Sequence, residues 1–581
     1  MRRSWPSRIL LWSVAGAIFA FAWLLRFNDP GGSFAGLTDD HFFYLVRGWQ
    51  ILFGDLPVRD FVDHGAPLYY YIGAAVQLLF GRGTLSELAF SVTMLSLCAA
   101  LTFWLCTEAS GWMLAGLAGA AFQILLDPRF YNYPKLLVYV VAIPLLWRFI
   151  DRPGARLGAI IALVTAVGFL LRHDHGIFVA AAMGVALLLL EGVPWRDRVK
   201  QGLIYAAVVV GLLLPYFAFI EMNGGVVSYF RQASAWAEKD RNRAPVVFPG
   251  LFENPDGVSD EAKAGTAPAR AVAILRDNVV AWVFYAEIAL PIVCLLLLAA
   301  SRAACRPQWP RARAKLTLVA VLAVVLDAAF LRSPLEARLA DPSVPLAILV
   351  AWTLVALPQL PRRSAWRWPS GAAAWAAPVA LVLLAAPVLF TFGAALSRDL
   401  YRRLDKAALT ERAGKGFERA EGIARQLRED WRLDSWVNRE GRPELIELSL
   451  YINACTTPEQ RVLVQGYMPQ VLALARRAFA GGHADLRPGF FRTDEAQQLT
   501  IARLQRQSVP MVLLETEQSL LNFRKSFPLV TAYIDAHYTQ AGTHVFDKRF
   551  GTTLFVRKDL APTGVYAPLG WPCFGTGVVT S

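Results

Sequence analysis

The chain has 581 residues, 55% of them hydrophobic and only 18% charged, with a mean hydropathy of +0.39. Soluble chains are nearer a quarter charged, which excludes an ordinary soluble enzyme of several domains. The net charge of +13 collects in short loops between apolar blocks, so it is a topology signal rather than a nucleic-acid footprint, and no nucleic-acid partner is expected.

Apolar blocks of about 17–25 residues, the length that crosses a bilayer, fill the chain before residue 398. They predict eleven spans, at about 8–27, 84–107, 111–126, 134–150, 155–171, 176–192, 199–220, 279–300, 314–331, 343–360 and 371–397. Ten hydrophobic segments follow the first, which therefore reads as a retained signal-anchor. Arg2, Arg3 and Arg8 precede span one, and Arg148, Arg152 and Arg156 join spans four and five. Arg196, Arg198 and Lys200, then Arg302, Arg306, Arg311, Arg313 and Lys315, then Arg362, Arg363 and Arg367 mark the later loops of the same parity. The positive-inside bias places these loops and the N-terminus in the cytoplasm. Residues 28–83, 221–278 and everything after 398 then lie outside. The fold expected is a polytopic α-helical membrane protein, with a multi-span domain at 1–397 and an outer α/β domain at 398–581.

In the first outer loop, 28–83, Phe42, Leu45, Val46, Trp49, Leu52 and Phe53 recur at helical spacing, with His41, Arg47 and Gln50 off that stripe. That pattern predicts a helix lying in the membrane interface. Pro67–Gly81 is apolar but too short to span, and predicts a second interfacial or re-entrant piece. The second long loop, 221–278, is polar and rich in Pro and Gly around 244–255. In the tail, 398–435 reads as a charged helix, Arg461–Gly466 and Val509–Glu515 as strands, and Pro469–Phe479 and Pro528–Tyr538 as helices. A last strand at Thr552–Arg557 completes a small α/β pattern.

Cys98, Cys106 and Cys294 fall within spans and Cys305 in a cytoplasmic loop, leaving Cys455 and Cys573 on the outer, oxidising side. These two either pair as a disulfide or remain as buried thiols, and the sequence leaves both open. No Cys/His cluster indicates a zinc site.

Thr38-Asp39-Asp40-His41 stands just outside span one, at the head of the predicted interfacial helix. An Asp or Thr there is a good N-cap. A carboxylate at the membrane surface is equally suited to take a proton from a nucleophile, and one Asp can cap while the other acts. Further cations lie at the outer ends of spans: Arg129 and Lys135 around span four, Arg172, His173 and His175 with Asp174 between spans five and six, and Arg332 and Arg338 after span nine. Each is a candidate anion ligand or a snorkelling interface residue. His173, Asp174 and His175 also have a faint metal-ligand spacing. Arg59 and Asp60, with Asp63 close by, read as residues that structure their loop, and Tyr69, Tyr70 and Tyr71 as an interface belt or sugar-stacking rings. Asp327, late in span nine, is a membrane-embedded acid and a functional candidate on that ground, or else a partner of Arg332 just over one helical turn on.

From Asp39 to Gly81 the chain reads DDHFFYLVRGWQILFGDLPVRDFVDHGAPLYYYIGAAVQLLFG. This stretch resembles the first outer loop of the GT-C membrane glycosyltransferases, in particular the bacterial relatives of dolichyl-phosphate-mannose protein mannosyltransferases and the lipid A aminoarabinose transferase. Asp39-Asp40 stands for the family's acidic pair, which is often Asp-Glu, Phe42–Tyr44 for its aromatic helix, and Gly54–Phe61 for its Gly-x-x-Pro-x-Arg-Asp-Phe turn. Pro67–Tyr69 through Phe80-Gly81 follows as in the family. Counting back from the turn favours Asp40 as the family's first acid, whereas pair order favours Asp39. The resemblance implies an inverting transfer of a sugar from a polyprenyl-phosphate donor to a lipid, glycan or protein acceptor, on the outer face of the bacterial inner membrane. The Asp would act as base, and cations drawn from Arg332, Lys135, Arg172, His173, His175 and Arg129 would hold the leaving phosphate. No cofactor is required on this reading; a divalent metal is compatible with it but not indicated. A lipid-linked-sugar flippase or other transporter, and a non-catalytic envelope scaffold, are the competing classes. The absence of inverted repeats weighs against transport. The tail shows neither a Gly-rich phosphate loop nor a defensible Ser/His/Asp pattern.

Overall fold

Apolar runs in this chain become helices because no other element satisfies its own backbone polar groups in lipid. In the computed structural model, the residues described are 5–27, 39–241, 248–251, 278–300, 309–331, 338–356, 443–546 and 550–575. The helices up to residue 125 are α1 (Trp5–Phe27), α2 (Asp39–Leu52), α3 (Pro67–Phe80), α4 (Thr84–Ser110) and α5 (Met113–Leu125). After a 3-10 turn at Phe130–Asn132 come α6 (Tyr133–Asp151), α7 (Ala155–Leu171), α8 (His173–Leu188), α9 (Trp195–Met222) and α10 (Val226–Arg241). Then follow α11 (Val279–Ala300), α12 (Ala312–Leu331) and α13 (Ser343–Ala356).

Six helical segments among the described residues are long and apolar enough to cross a membrane: Arg8–Arg26, Ser86–Ser110, Phe130–Asp151, Trp195–Met222, Ala281–Ala299 and Ala312–Leu331. The chain is thus a multi-pass, mostly helical membrane protein. Where spans are expected at 111–126, 155–171, 176–192 and 343–360, the apolar helices are shorter, namely α5, α7, α8 and α13. The eleventh predicted span at 371–397, the charged helix at 398–435, Arg332 and Cys305 lie outside the described residues.

The chain falls into two compact units that do not follow its order. The first comprises Met1–Pro30, Ser91–Pro215 and Ala237–Ala413. Here Leu11, Ala15 and Ala22 of α1 pack on Ala99, Ala100 and Phe103 of α4 and on Ala120 and Ile124 of α5. Close approach of α4 and α5 requires glycine: a Cβ at Gly116 would lie 2.0 Å from Thr107 Oγ1, and one at Gly119 would lie 2.5 Å from Cys106 Sγ. At the end of α6, Lys315 Nζ donates to Asp151 Oδ2 at 2.6 Å, Arg311 to the Ile150 carbonyl, and Trp147 Nε1 to the Lys315 carbonyl at 3.2 Å.

The second unit joins Gly31–Phe90, Tyr216–Trp236 and Gly414–Ser581. Its C-terminal part runs α14 (Pro443–Cys455), β1 (Arg461–Val464), α15 (Pro469–Ala475), β2 (Ala478–Phe479) and α16 (Asp494–Arg506). It continues through β3 (Met511–Glu515), α17 (Glu517–Ser526), α18 (Pro528–His537), β4 (Tyr538–Val545), β5 (Gly551–Arg557) and a hairpin of β6 (Gly564–Tyr566) and β7 (Trp571–Cys573). The five-stranded sheet has the order β2-β1-β3-β5-β4, with β2, β1 and β3 parallel and β5 and β4 antiparallel. Leu463, Val512, Leu514 and Phe555 share one buried face with Leu504, Phe523, Phe527, Val530 and Ile534. The alternate residues Val462, Val464, Met511, Leu513, Leu554 and Val556 are buried too, so the central strands are covered on both faces.

Two expectations for the tail change. The helix predicted over 469–479 ends at Ala475, because Arg476 adopts a left-handed conformation (φ 53°) and the chain turns into β2. The helix predicted through Tyr538 gives way there to β4, a polar edge strand whose side chains carry no apolar alternation. Cys455 and Cys573 are joined as a disulfide, with Cα atoms 4.2 Å apart. The Phe574 amide also donates to the Cys455 carbonyl at 2.8 Å.

Helix α2 departs furthest from expectation. Phe42, Leu45, Val46 and Trp49 are buried as the apolar stripe predicts, but His41, Arg47 and Gln50 are fully buried as well. A helix resting at the interface would leave those polar groups wet. Here α2 packs between α3 and the tail elements α15 and β2, and its polar side chains find fixed partners. Gly48 allows the approach to α3, since a Cβ there would meet the backbone of Ala74 at 3.1 Å.

Candidate active site

Asp40 sits in the first turn of α2 and remains partly exposed. Its Oδ1 accepts a hydrogen bond from the Tyr467 hydroxyl, which comes from the turn between β1 and α15. Asp39 begins the same helix, and its side chain lies outside what is described. Burial, and after it the charge of Asp40, push the Tyr467 phenol well up, so it stays protonated and donates.

The tyrosine is held from behind. The Arg487 guanidinium lies 4.3 Å from the centre of its ring and 5.1 Å from that of Phe490. Arg487 Nη2 donates to Asp485 Oδ2 at 2.9 Å, and Asp485 Oδ1 stands 3.6 Å from Arg47 Nη2 of α2. Arg47 in turn stacks 3.2 Å over the Phe43 ring and donates to the Phe43 carbonyl at 3.1 Å. Burial raises the Asp485 carboxyl even with two guanidiniums beside it. The result is a chain of groups, Asp40–Tyr467–Arg487–Asp485–Arg47, two from the first loop and three from the tail.

Neutral histidines line the same region. His64 packs 5.1 Å from Phe43, and His483 packs 4.7 Å from Phe491 and bonds Thr500 Oγ1 at 2.9 Å. Burial first, then neighbouring guanidiniums, push His64 well down and His483 down to about 3. His41 Nε2 lies 3.4 Å from Glu87 Oε1, both buried.

The turn at residues 54–65 is clasped by the tail. Asp55 takes both terminal nitrogens of Arg461, with Nη2 at 2.9 Å, and also accepts from Gln50 Nε2 at 2.6 Å. Gln50 pairs with the Phe479 backbone through both halves of its amide, at 3.1 and 3.2 Å. Arg503 Nη2 donates to the carbonyls of Val58 and Arg59 at 3.1 and 3.0 Å. Arg59 and Asp60 form a local pair, 2.6 Å from Nη2 to Oδ2, and Asp60 Oδ2 also caps the Leu56 amide at 2.8 Å. Burial raises the Asp60 carboxyl, but its bonds to Arg59 and Leu56 outweigh this and hold it low.

Asp63 has a different place from its neighbour. Its Oδ1 accepts from the Gly65 and Ala66 amides at 2.9 and 3.0 Å, and its Oδ2 from the Tyr216 and Tyr229 hydroxyls at 3.0 and 2.9 Å. Tyr69 and Tyr70 are buried against Tyr44 and Phe61 rather than forming a belt, and Tyr71 is the exposed member of the three.

The candidate anion ligands of the first unit have partners of their own. Lys135 Nζ donates to Asp341 Oδ2 at 2.6 Å, and Asn132 Nδ2 reaches the other oxygen at 3.4 Å. Arg172 Nε pairs with Asp174 Oδ1 at 3.1 Å across the one-residue break between α7 and α8, and both feel the charge of Lys135. His175 Nδ1 bonds the Tyr139 hydroxyl at 2.5 Å, whereas His173 stacks on Phe169 at 4.3 Å. The two histidines of the predicted metal spacing therefore have different partners. Among the described residues no group of three His, Cys, Asp or Glu is placed to hold a metal. Arg129 Nη1 donates to Tyr131 Oη at 3.3 Å. Lys135, Arg172 and His175 thus come together, each beside a carboxylate.

Sequence reasoning missed Tyr467, Asp485, Arg487, Asp341 and Glu287. Only Glu287 carried a signal: like Asp327, it is an acid inside an apolar span. Both are buried without a hydrogen-bond partner among the described residues, and Glu287 feels the charges of Asp327 and Asp341.

No protein-family model matches the chain, and no curated protein matches it. Among solved structures, the crystal structure of ArnT from Cupriavidus metallidurans bound to undecaprenyl phosphate aligns over 95% of this chain and 98% of its own, at 14% identity and a TM-score of 0.45. A likeness at that score fixes neither the fold nor the reaction of this chain.

Proposed function

We propose that this protein is an inverting glycosyltransferase that moves a sugar from a polyprenyl-phosphate donor to a hydroxyl of a lipid, glycan or protein acceptor. The reaction runs on the outer face of a bacterial inner membrane, with the eleven-span topology and outward tail read from the loop charges. The observation that carries this reading is Asp40: a partly exposed carboxylate at the head of α2, held through one oxygen by Tyr467. As the acceptor oxygen attacks the anomeric carbon, Asp40 takes its proton, the sugar–phosphate C–O bond breaks, and polyprenyl phosphate leaves as the anion. Asp39 is the alternative base. Lys135 and Arg172, with Arg129, His173, His175 and Arg332, are the groups proposed to hold the donor phosphate. Asp341 and Asp174 pair with Lys135 and Arg172 and hold those two in place before the donor arrives.

The test is a mass-spectrometric profile of polyprenyl-phosphate sugars and envelope glycans in cells lacking the protein, complemented with wild type, Asp40→Asn or Asp39→Asn. Accumulation of one lipid-linked sugar and loss of one glycan residue in the Asp40→Asn strain supports Asp40 as the base. The same pattern confined to Asp39→Asn moves the role one residue. A wild-type profile in both strains removes the assignment.

One observation favours a second reading, transport of a lipid-linked sugar: Glu287 and Asp327 lie buried within spans. The Glu287→Gln, Asp327→Asn double variant separates the two. It retains transfer if the chain is the enzyme proposed, and loses sugar translocation into vesicles if the chain is a transporter.

A further inference from the structure

The tail supplies more than cover for the first loop. We infer that Tyr467 is a positioning residue for the base: its hydroxyl fixes one oxygen of Asp40, so that the carboxylate is competent only when the tail is docked on α2. This inference rests on the glycosyltransferase reading and extends it to a residue more than four hundred positions from Asp40 in the chain.

The placement of the tyrosine is over-determined. Gly466 before it has φ +92°, and a Cβ there would stand 2.3 Å from Glu515 Oε1, so any side chain in that turn would be strained and would displace Glu515. The Gly466 amide donates to the Leu486 carbonyl at 3.1 Å, and Gln465 ties the same turn to Glu515 N and Ser519 Oγ, each at 3.1 Å. Leu486 immediately precedes Arg487, whose guanidinium covers the Tyr467 ring. Two tail loops are therefore locked together to hold one phenol. Among the described residues the hydroxyl of that phenol bonds one side chain, Asp40. A structural tyrosine needs no such frame around its hydroxyl; a group that orients a base does.

A phenol that only packs can lose its hydroxyl with little effect on turnover, whereas one that aims a base cannot.

The experiment uses the full chain in the complemented cells, reading the glycan that the deletion strain lacks. Tyr467→Phe removes one oxygen and keeps the ring, and 3-fluorotyrosine at position 467 keeps the hydroxyl donor. The expected result is a Phe variant at wild-type level whose product falls about 10- to 100-fold, and a fluorotyrosine variant that restores it. Wild-type product from Tyr467→Phe, or an equal loss in the fluorotyrosine variant, overturns the inference. Should the Phe variant not accumulate, O-methyltyrosine at position 467 keeps ring and oxygen without the proton; it should lose product, and wild-type product again overturns the inference. Asp40→Asn, run alongside, separates the two failures. If it loses transfer while the Tyr467 variants behave as wild type, only the positioning role falls; if it restores the wild-type profile, Asp40 is not the base and the inference falls, and the transferase reading falls with it only when Asp39→Asn restores that profile too.

Discussion

Arg461, the first residue of β1, grips Asp55 of the first loop with both terminal guanidinium nitrogens, across 406 residues of sequence. The pair is mostly shielded, with side-chain exposures of 14% and 12%. Asp55→Ala strands both Arg461 and the Gln50 amide. We expect a loss of about 2–3 kcal/mol, less than for a fully buried pair because some solvent reaches this one. Thermal unfolding of the detergent-solubilised full chain measures it, and an unchanged midpoint would count against the clasp.

Asp63 accepts four hydrogen bonds, two from amides and two from phenols. Burial and the charge of Asp63 keep the Tyr229 phenol protonated, hence a donor. Asp63→Asn replaces one acceptor oxygen with an amide nitrogen facing donors, for a cost of about 2–3 kcal/mol. Tyr229→Phe removes one donor and costs about 1 kcal/mol. The order of the two melting shifts is the check; a larger effect from Tyr229→Phe would contradict the arrangement.

Acid should loosen the tail through His483. Its folded value is about 3 against an ordinary 6.5, so between those limits the unfolded chain binds a proton that the folded one does not. Stability is therefore full above about pH 6.5 and falls as pH drops toward 3, by about 1.4 kcal/mol per pH unit. His64 shifts in the same direction and adds to the slope. Hydrogen exchange of the tail amides from pH 7 to 5 should show progressive loss of protection. His483→Gln should flatten that dependence, and a slope equal to wild type refutes the assignment.

The disulfide Cys455–Cys573 closes a loop of 118 residues. Chain-entropy reasoning puts its stabilising effect at up to about 4–5 kcal/mol. Unreduced peptide mass spectrometry should recover the two cysteines together, and Cys455→Ala, Cys573→Ala should lower the melting midpoint by several degrees. Two free thiols in protein taken from the membrane would end the idea.

What was legible in the sequence was local. Apolar runs announced the helices from α4 to α9 and from α11 to α13 because lipid and helix neighbours ask only for apolar length, whereas α10 lies in a loop read as polar and was not announced. Arg461–Val464 and Met511–Glu515 were readable as strands because both faces of each are buried. Arg47 and Gln50 were read only as lying off the apolar stripe, because their partners, Asp485 and the Phe479 backbone, arrive from the far end of the chain. Asp40 was marked by its place before an amphipathic helix, whereas no pattern around Tyr467 announced a partner for it. Lys135 was visible as a cation, but not its pairing with Asp341. Long-range polar pairing leaves no periodic trace.

The wide separation of α2 from its tail partners sets a timetable for biogenesis. Gln50 and Phe479 are 429 residues apart, so at about 5–20 residues per second the ribosome needs roughly 20–90 s to supply the second after the first. During that interval the first loop presents a guanidinium and an amide built for an interior. A chain stalled or truncated before β1 would keep presenting them. Membrane quality control would then find an unfinished first loop, although every span of the N-terminal bundle had already been inserted.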